Sequence, residues 1–316
     1  VLTTHRNRRR DQVKAGLAAT SVTKTVIDTL RFSRDVGKPT LTDGRSRLGK
    51  SAAAKAFCAG SGGLARYILT PEDNDMVTLY RVCAKALGVA DSPSKKAADV
   101  RELVERTLIT SRLMLVFDEA QNLFSSSARV TKQPNRVLWL RRLIDAGVPM
   151  AFVALPDIER RIMRCVEHVG FDAAQFTDLI CRRSSLPLNL CGADFAILVE
   201  RLASDLSASS KRSIAAAANG QQGAQYVIDV LAVARHNAAK AGRERPNDED
   251  VQAAIGDRPT FVYAPGIAPR KRGRPGRAPT QAQARPIAMP PPADPATLVR
   301  HSRTASARTV QESLTA

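Results

Sequence analysis

The octapeptide Gly44-Arg45-Ser46-Arg47-Leu48-Gly49-Lys50-Ser51 constrains this chain more than any other stretch. It satisfies G-x-x-x-x-G-K-[ST], a pattern that works on one scaffold. A strand must lead into a tight loop, and a helix must leave it with its first amides facing a phosphate. The flanks supply that scaffold. Residues 39–42 read as a short strand after the break at Gly37-Lys38-Pro39, and Ala52 to Phe57 form helix strongly before Gly60, Gly62 and Gly63 stop it. Gly44 and Gly49 carry the special backbone geometry of the loop.

The pattern downstream alternates between strand and helix. Tyr67 to Thr70 reads as a strand ended by Pro71, and helical spacing runs over 76–87 and 97–110. Leu113 to Phe117 is a continuous apolar run, the mark of a strand buried on both faces. A helix over 136–146 holds the only Trp, Trp139, followed by a strand at 149–155, a helix at 158–169 and a fifth strand at 186–190. This order predicts an α/β fold with a parallel five-stranded sheet. From Ala193 only helices are expected, near 193–207, 211–219, 223–241 and 247–256, with Asn247 and Asp250 as a loose capping box. Upstream, Val13 to Leu30 carries an approximate helix stripe. The organisation expected is a basic, partly helical arm (1–35), an α/β domain (36–192), a small helical domain (193–258) and a disordered basic tail (259–316) rich in Pro and Arg.

Ligands of parallel sheets bind outside the carboxyl ends of the strands. The run 113–117 ends directly in Asp118-Glu119. An isolated Asp-Glu pair is as well suited to capping a helix, but opposite the 44–51 loop it completes a site for ATP and Mg²⁺. Ser51 and Asp118 would hold the Mg²⁺, and Glu119 would polarise the attacking water.

The net charge of +18 is unevenly spread. Residues 1–40 carry nine Lys/Arg against three acids, and 264–316 carry nine against two. Basic arms of this kind suit a polyanion such as nucleic acid, although they also serve for solubility alone. The five Cys show no C-x-x-C and the four His are scattered, so a zinc site is not expected. The Cys fall in apolar segments and read as small buried hydrophobes of a reducing compartment. No apolar run is long enough to span a bilayer, so no membrane association and a cytoplasmic setting are expected.

The loop 44–51, the segment Leu-Val-Phe-Asp-Glu-Ala-Gln-Asn-Leu (115–123) and the trailing helices together resemble the AAA+ superfamily over about residues 35–258. The Asp-Glu-Ala-Gln form is similar to the branch holding the transposition ATPases of TnsC, TniB and phage Mu B type and the ExeA-like ATPases. The resemblance implies a P-loop core with a C-terminal helical lid, and ATP held by Gly44 to Ser51 and Asp118. Gln121 is implied near the γ-phosphate or relaying to the sheet. Arg45, Ser46, Arg47 and Leu48 are bulkier than the loop filling common in that family. At the sensor-1 position Pro156-Asp157 replaces the usual Thr, Ser or Asn, and Gly220-Gln221-Gln222-Gly223-Ala224-Gln225 offers Gln where sensor 2 has Arg. Arg182 or Arg183 stands where the family carries an arginine finger supplied in trans, which implies a homo-oligomer. In the tail, Arg270-Lys271-Arg272-Gly273-Arg274-Pro275 resembles an AT-hook, whose Gly-Arg-Pro core lies in a narrow A·T minor groove. The implied protein is a slow, DNA-stimulated ATPase that assembles on duplex DNA as a bacterial or phage-type transposition accessory protein, with a transposase as partner. A helicase-loading or replication-initiation ATPase, and a nucleotide-gated DNA scaffold with little turnover, are the alternatives.

Overall fold

The computed structural model describes residues 17–89, 96–219 and 223–257. All of these lie in one unit, Val1–Pro259; the second unit, Thr260–Ala316, lies outside the described residues. The expected AT-hook and basic tail therefore fall outside them, as do residues 1–16 of the basic arm.

Five strands form one parallel sheet: β1 (Thr40–Asp43), β2 (Ala65–Leu69), β3 (Met114–Asp118), β4 (Met150–Ala154) and β5 (Arg182–Ser185), in the order β2-β3-β4-β1-β5. β3 and β4 are buried along their whole length. Their apolar runs make sense because the sheet has a core on each face, and alternate residues serve alternate faces. On one face Met114, Val116, Ala151 and Val153 pack with Val22, Val26 and Leu30 of α1 (Ser21–Val36) and with Ala53, Ala54 and Phe57 of α2 (Lys50–Gly60). On the other, Leu115, Phe117 and Phe152 meet α3 (Met76–Leu87), α4 (Ala97–Ser111), α5 (Asn135–Asp145) and α6 (Ile158–Val169). Phe117 and Phe152 stack with ring centroids 5.8 Å apart. A short helix, α7 (Ala174–Thr177), then leads into β5.

Two expectations are corrected. Residues 13–16 of the expected 13–30 helix lie outside the described residues; among those described the first helix begins at Ser21, where Thr20 caps it by accepting from the Thr23 amide, and runs on to Val36, where Gly37 turns the chain at φ 70°. The fifth strand is Arg182–Ser185, not 186–190. It is a polar edge strand paired only with β1, from Thr40↔Arg182 to Asp43↔Ser185. Leu186 and Leu190 are drawn instead into the apolar cluster under the following helices.

Those helices are α8 (Gly192–Leu202), α9 (Ala208–Ala218), α10 (Gln225–Lys240) and α11 (Asp248–Gly256). The capping box of Asn247 and Asp250 is present. The helical segment shares the α1–α2 face of the core through Phe195, Ile214, Tyr226 and Val230. Asp194 ties it to the start of α1, accepting from the Ser21 amide at 2.6 Å and the Ser21 hydroxyl at 2.7 Å. Of the cysteines, Cys83 and Cys165 are buried and Cys58 is half-buried, but Cys181 and Cys191 are exposed, against expectation. Cys181 precedes an edge strand, and Cys191 caps α8 with its thiol donated to Asp194.

Candidate nucleotide site

The loop 44–51 leaves the carboxyl end of β1 and enters α2 at Lys50. Gly49 takes φ 93° and Arg47 φ 66°, so the loop turns through the left-handed region twice, once with a glycine and once without. Gly44 is required for a different reason. A Cβ there would lie 2.8 Å from the Leu186 Cβ. The bulky interior also resolves: Leu48 turns into the core, whereas Arg45, Ser46 and Arg47 are exposed. The Lys50 ammonium folds into the loop, donating to the carbonyls of Gly44 and Arg45 at 2.6 Å each. Burial lowers the pKa of Lys50, and the carboxylates of Glu119, Asp118 and Asp43 act against that shift. Lys50 and the three acids therefore share one electrostatic site.

Asp118 closes β3 and is buried. Its Oδ1 accepts from the Glu119 amide at 3.0 Å and its Oδ2 from the Tyr67 hydroxyl at 2.6 Å. Glu119 stands in the left-handed region at φ 52°, uncommon for a residue with a Cβ and a form of strain found at functional sites. Its carboxylate accepts from the Gln121 side-chain amide. Gln121 is buried, and its Oε1 accepts from the Leu155 amide at 3.0 Å. Gln121 thus bridges Glu119 and the residue that follows β4. β4 joins the two halves of the site: the Gly44 amide donates to Ala154 O, and Gln121 receives the next amide along.

The remaining sequence candidates are placed as follows. Asp157, at the sensor-1 position, is bonded by Arg161 Nε at 2.9 Å, and its buried Oδ1 has no partner. Arg161 also reaches the Asn122 side chain at 3.0 Å. Arg183 lies within β5 and not at the end of a helix. Its Nε donates to Asp43 Oδ1 at 2.8 Å, and its guanidinium also pairs with Glu159. Both carboxylates hold Arg183 charged, raising its pKa, with the Asp43 bond the larger cause. Arg182 stacks on Phe32 with its guanidinium carbon 5.3 Å from the ring centre. Of the sensor-2 stretch, residues 220–222 lie outside the described residues. Ala224 donates its amide to Arg47 O at 2.9 Å, and Gln225 bonds Asp229. Arg270, Lys271, Arg272, Gly273, Arg274 and Pro275 are outside the described residues.

Tyr67, Asp43 and the Leu155 amide have no motif of their own, and sequence reasoning missed them. The one signal was position: Asp43 directly precedes the loop, and Leu155 ends an apolar strand.

The donor set fits the ligands the loop implies. A Ser51 hydroxyl on the first turn of α2 and a buried carboxylate are hard oxygen donors, the set that Mg²⁺ takes alongside phosphate and water. Among the described residues no cluster of three or more His, Cys, Asp or Glu could hold a metal by itself. No helix of the described residues is long and apolar enough to cross a membrane.

A family model described as "AAA domain" matches residues 36–162, from the end of α1 into α6, and so covers both halves of the site. No curated protein sequence matches the chain. Among solved structures, the ORC2 protein of Aeropyrum pernix in its ADPNP-ADP complexes is similar, with TM-score 0.53 at 16% identity. That match covers 79% of this chain and 68% of the other. The ADP form of the same protein gives 0.56 at 17%, over 75% and 67%. Cdc6p of Pyrobaculum aerophilum gives 0.52 at 16%, over 73% and 65%. At such identities the likeness is one of fold. Residues 36–162 thus match an AAA domain set in a five-stranded parallel P-loop core, an ATPase-like, nucleotide-binding architecture.

Proposed function

We propose that this chain hydrolyses ATP with Mg²⁺ as a AAA+ ATPase and assembles with copies of itself on duplex DNA, serving as a transposition accessory or target-selection protein. The observation that carries the nucleotide part is the convergence of Lys50, Asp118 and Glu119 on one electrostatic site at the carboxyl edge of the sheet. In this reading 36–192 is the ATPase unit and 193–258 its lid. The amides of Gly44 to Ser51 wrap the phosphates, and the Lys50 ammonium exchanges two loop carbonyls for phosphate oxygens. Ser51 and Asp118 would hold Mg²⁺, which would supply neutralisation of the charge developing on the phosphoryl group. Glu119 accepts the proton of the attacking water at its carboxylate, once Gln121 presents it.

DNA engagement rests on the net charge of +18, concentrated at the two ends of the chain, and on the Gly273-Arg274-Pro275 core. Slow, DNA-stimulated turnover is proposed because the sensor positions hold an Asp already bonded to Arg161 and a Gln bonded to Asp229. Arg182 is the better finger candidate of the two, since Arg183 is taken up by Asp43 and Glu159 in its own chain. A second reading, a helicase-loading or replication-initiation ATPase, draws on the fold likeness to ORC2 and Cdc6p.

The test is nucleotide binding and ATPase activity with and without duplex DNA. Lys50→Ala should abolish ATP binding, and Glu119→Gln should bind ATP but not turn it over; unchanged hydrolysis in both would overturn the enzyme reading. Deleting 265–316 should weaken duplex binding about tenfold or more and flatten its salt dependence, with ATP binding intact. Equal duplex affinity with and without the tail removes the AT-hook claim.

A further inference from the structure

The shorter of the two hydrogen bonds to the Asp118 carboxylate comes from a strand that carries no motif. β2 and β3 pair with Tyr67 opposite Val116 and Leu69 opposite Asp118. Side chains two apart along a strand share a face, so Tyr67 and Asp118 are diagonal neighbours on one side of the sheet, within reach of a long aromatic. The Tyr67 hydroxyl uses that reach, donating to Asp118 Oδ2 at 2.6 Å. The ring is held from above by Lys55, whose ammonium lies 5.2 Å from its centre. Lys55 is one helical turn beyond Ser51 on α2, so one face of that helix carries both the Ser51 hydroxyl and the cation that clamps the tyrosine.

We propose that Tyr67 is the positioning residue of the metal site: its hydroxyl fixes the plane of the Asp118 carboxylate, which keeps an acceptor site on each oxygen with which it would hold the Mg²⁺ of a bound nucleotide. An ionised carboxylate offers about four acceptor sites. The Glu119 amide takes one on Oδ1 and the Tyr67 hydroxyl takes one on Oδ2, which stops rotation about the last side-chain bond and leaves one on each oxygen. Partners that orient a metal ligand in this way are worth about 10–100-fold in metal affinity.

The inference rests on the reading of Asp118 as a metal ligand, and the experiment separates the two. Mn²⁺ is titrated into the full chain with a non-hydrolysable ATP analogue and followed by electron paramagnetic resonance, and binding of the analogue alone is measured in EDTA. Tyr67→Phe should weaken Mn²⁺ about tenfold while analogue binding in EDTA stays at the wild-type value. Asp118→Asn should weaken Mn²⁺ more; if it does not, the metal site itself is misassigned. Lys55→Met, on the exposed side of the ring, should weaken Mn²⁺ in the same direction by a smaller factor. Wild-type Mn²⁺ affinity in Tyr67→Phe, or in Lys55→Met should Tyr67→Phe fail to fold, overturns the proposal.

Discussion

Gly223→Ala is the sharpest probe of how the helical segment meets the nucleotide loop. Gly223 has φ 79°, and a Cβ built on it would lie 2.4 Å from the carbonyl oxygen of Arg47 and 2.8 Å from the Arg47 Cβ. The next residue, Ala224, donates its amide to that same oxygen. Gly242 supplies a control within the same unit, at φ 71° with nothing within 4 Å of its would-be Cβ. Left-handed backbone costs an alanine about 1–2 kcal/mol, the whole expected effect of Gly242→Ala. Gly223→Ala adds a contact that only backbone movement relieves, and that movement gives up the Ala224 bond, about another 0.5–1.5 kcal/mol before any packing loss. In a unit of this size 1 kcal/mol is about 2–4 °C in melting temperature, so Gly223→Ala should melt several degrees below Gly242→Ala. Amide exchange at Ala224 should speed up in the first variant alone. Nucleotide affinity should fall with it, because the loop tip that carries Arg47 loses its support. Equal melting temperatures and equal Ala224 protection in the two variants would refute the contact.

Three further outcomes follow from single side chains and their partners. Arg183→Ala leaves the carboxylate of Asp43 short of its main partner at the root of the loop and should cost about 1–3 kcal/mol in denaturant unfolding. Arg182→Ala should leave the fold intact but lose ATPase activity, which mixing with a Lys50→Ala chain partly restores; activity independent of protein concentration would count against a finger in trans. Burial alone would raise the Asp194 carboxyl, but hydrogen bonds from Ser21 and Cys191 outweigh it and its pKa is lowered. That stability is present above the unfolded value of about 3.9 and is lost as pH falls through the lower folded value. Melting between pH 6 and 3 should therefore fall more steeply in the wild type than in Asp194→Asn.

What the sequence made legible were the features with a local cause. Leu113 to Phe117 and Pro149 to Leu155 read as buried strands because both faces of β3 and β4 are covered, and a run without alternation has few other uses. The helices Met76–Leu87 and Ile158–Val169 were legible from their apolar spacing, and in the structure they end at Gly88 and Gly170, both left-handed. The fifth strand was misplaced because Arg182–Ser185 carries no apolar pattern; it is a strand only because β1 offers it an edge. Long-range partners were invisible for a related reason. Tyr67 and Asp118 are 51 residues apart, and Arg183 and Asp43 are 140, so the sheet order alone brings each pair together. The Gly-Lys-Ser and Asp-Glu motifs pointed to the candidate site, but part of what orients their side chains comes from strands that carry no motif.

In the proposed mechanism, Gln121 is where that orientation would bear most directly on turnover. Its amide nitrogen donates to Glu119 while its oxygen accepts from Leu155, the residue after the strand whose Ala154 carbonyl receives the Gly44 amide. Gln121→Glu keeps the shape and the acceptor for Leu155 but turns the donor facing Glu119 into a second carboxyl group. Two carboxylates at hydrogen-bond distance cannot both ionise freely, so one pKa of the pair rises strongly and a shared proton occupies the base. ATP binding should survive, because the loop and Lys50 are untouched. Turnover near pH 7 should drop about tenfold or more, and the rate should recover as pH rises and the shared proton leaves. Were Gln121 only a structural pin for β4, the variant would lower the rate by the same factor at every pH. A pH–rate profile parallel to that of the wild type would therefore refute the link between Gln121 and the base, and a rising limb displaced to higher pH would establish it.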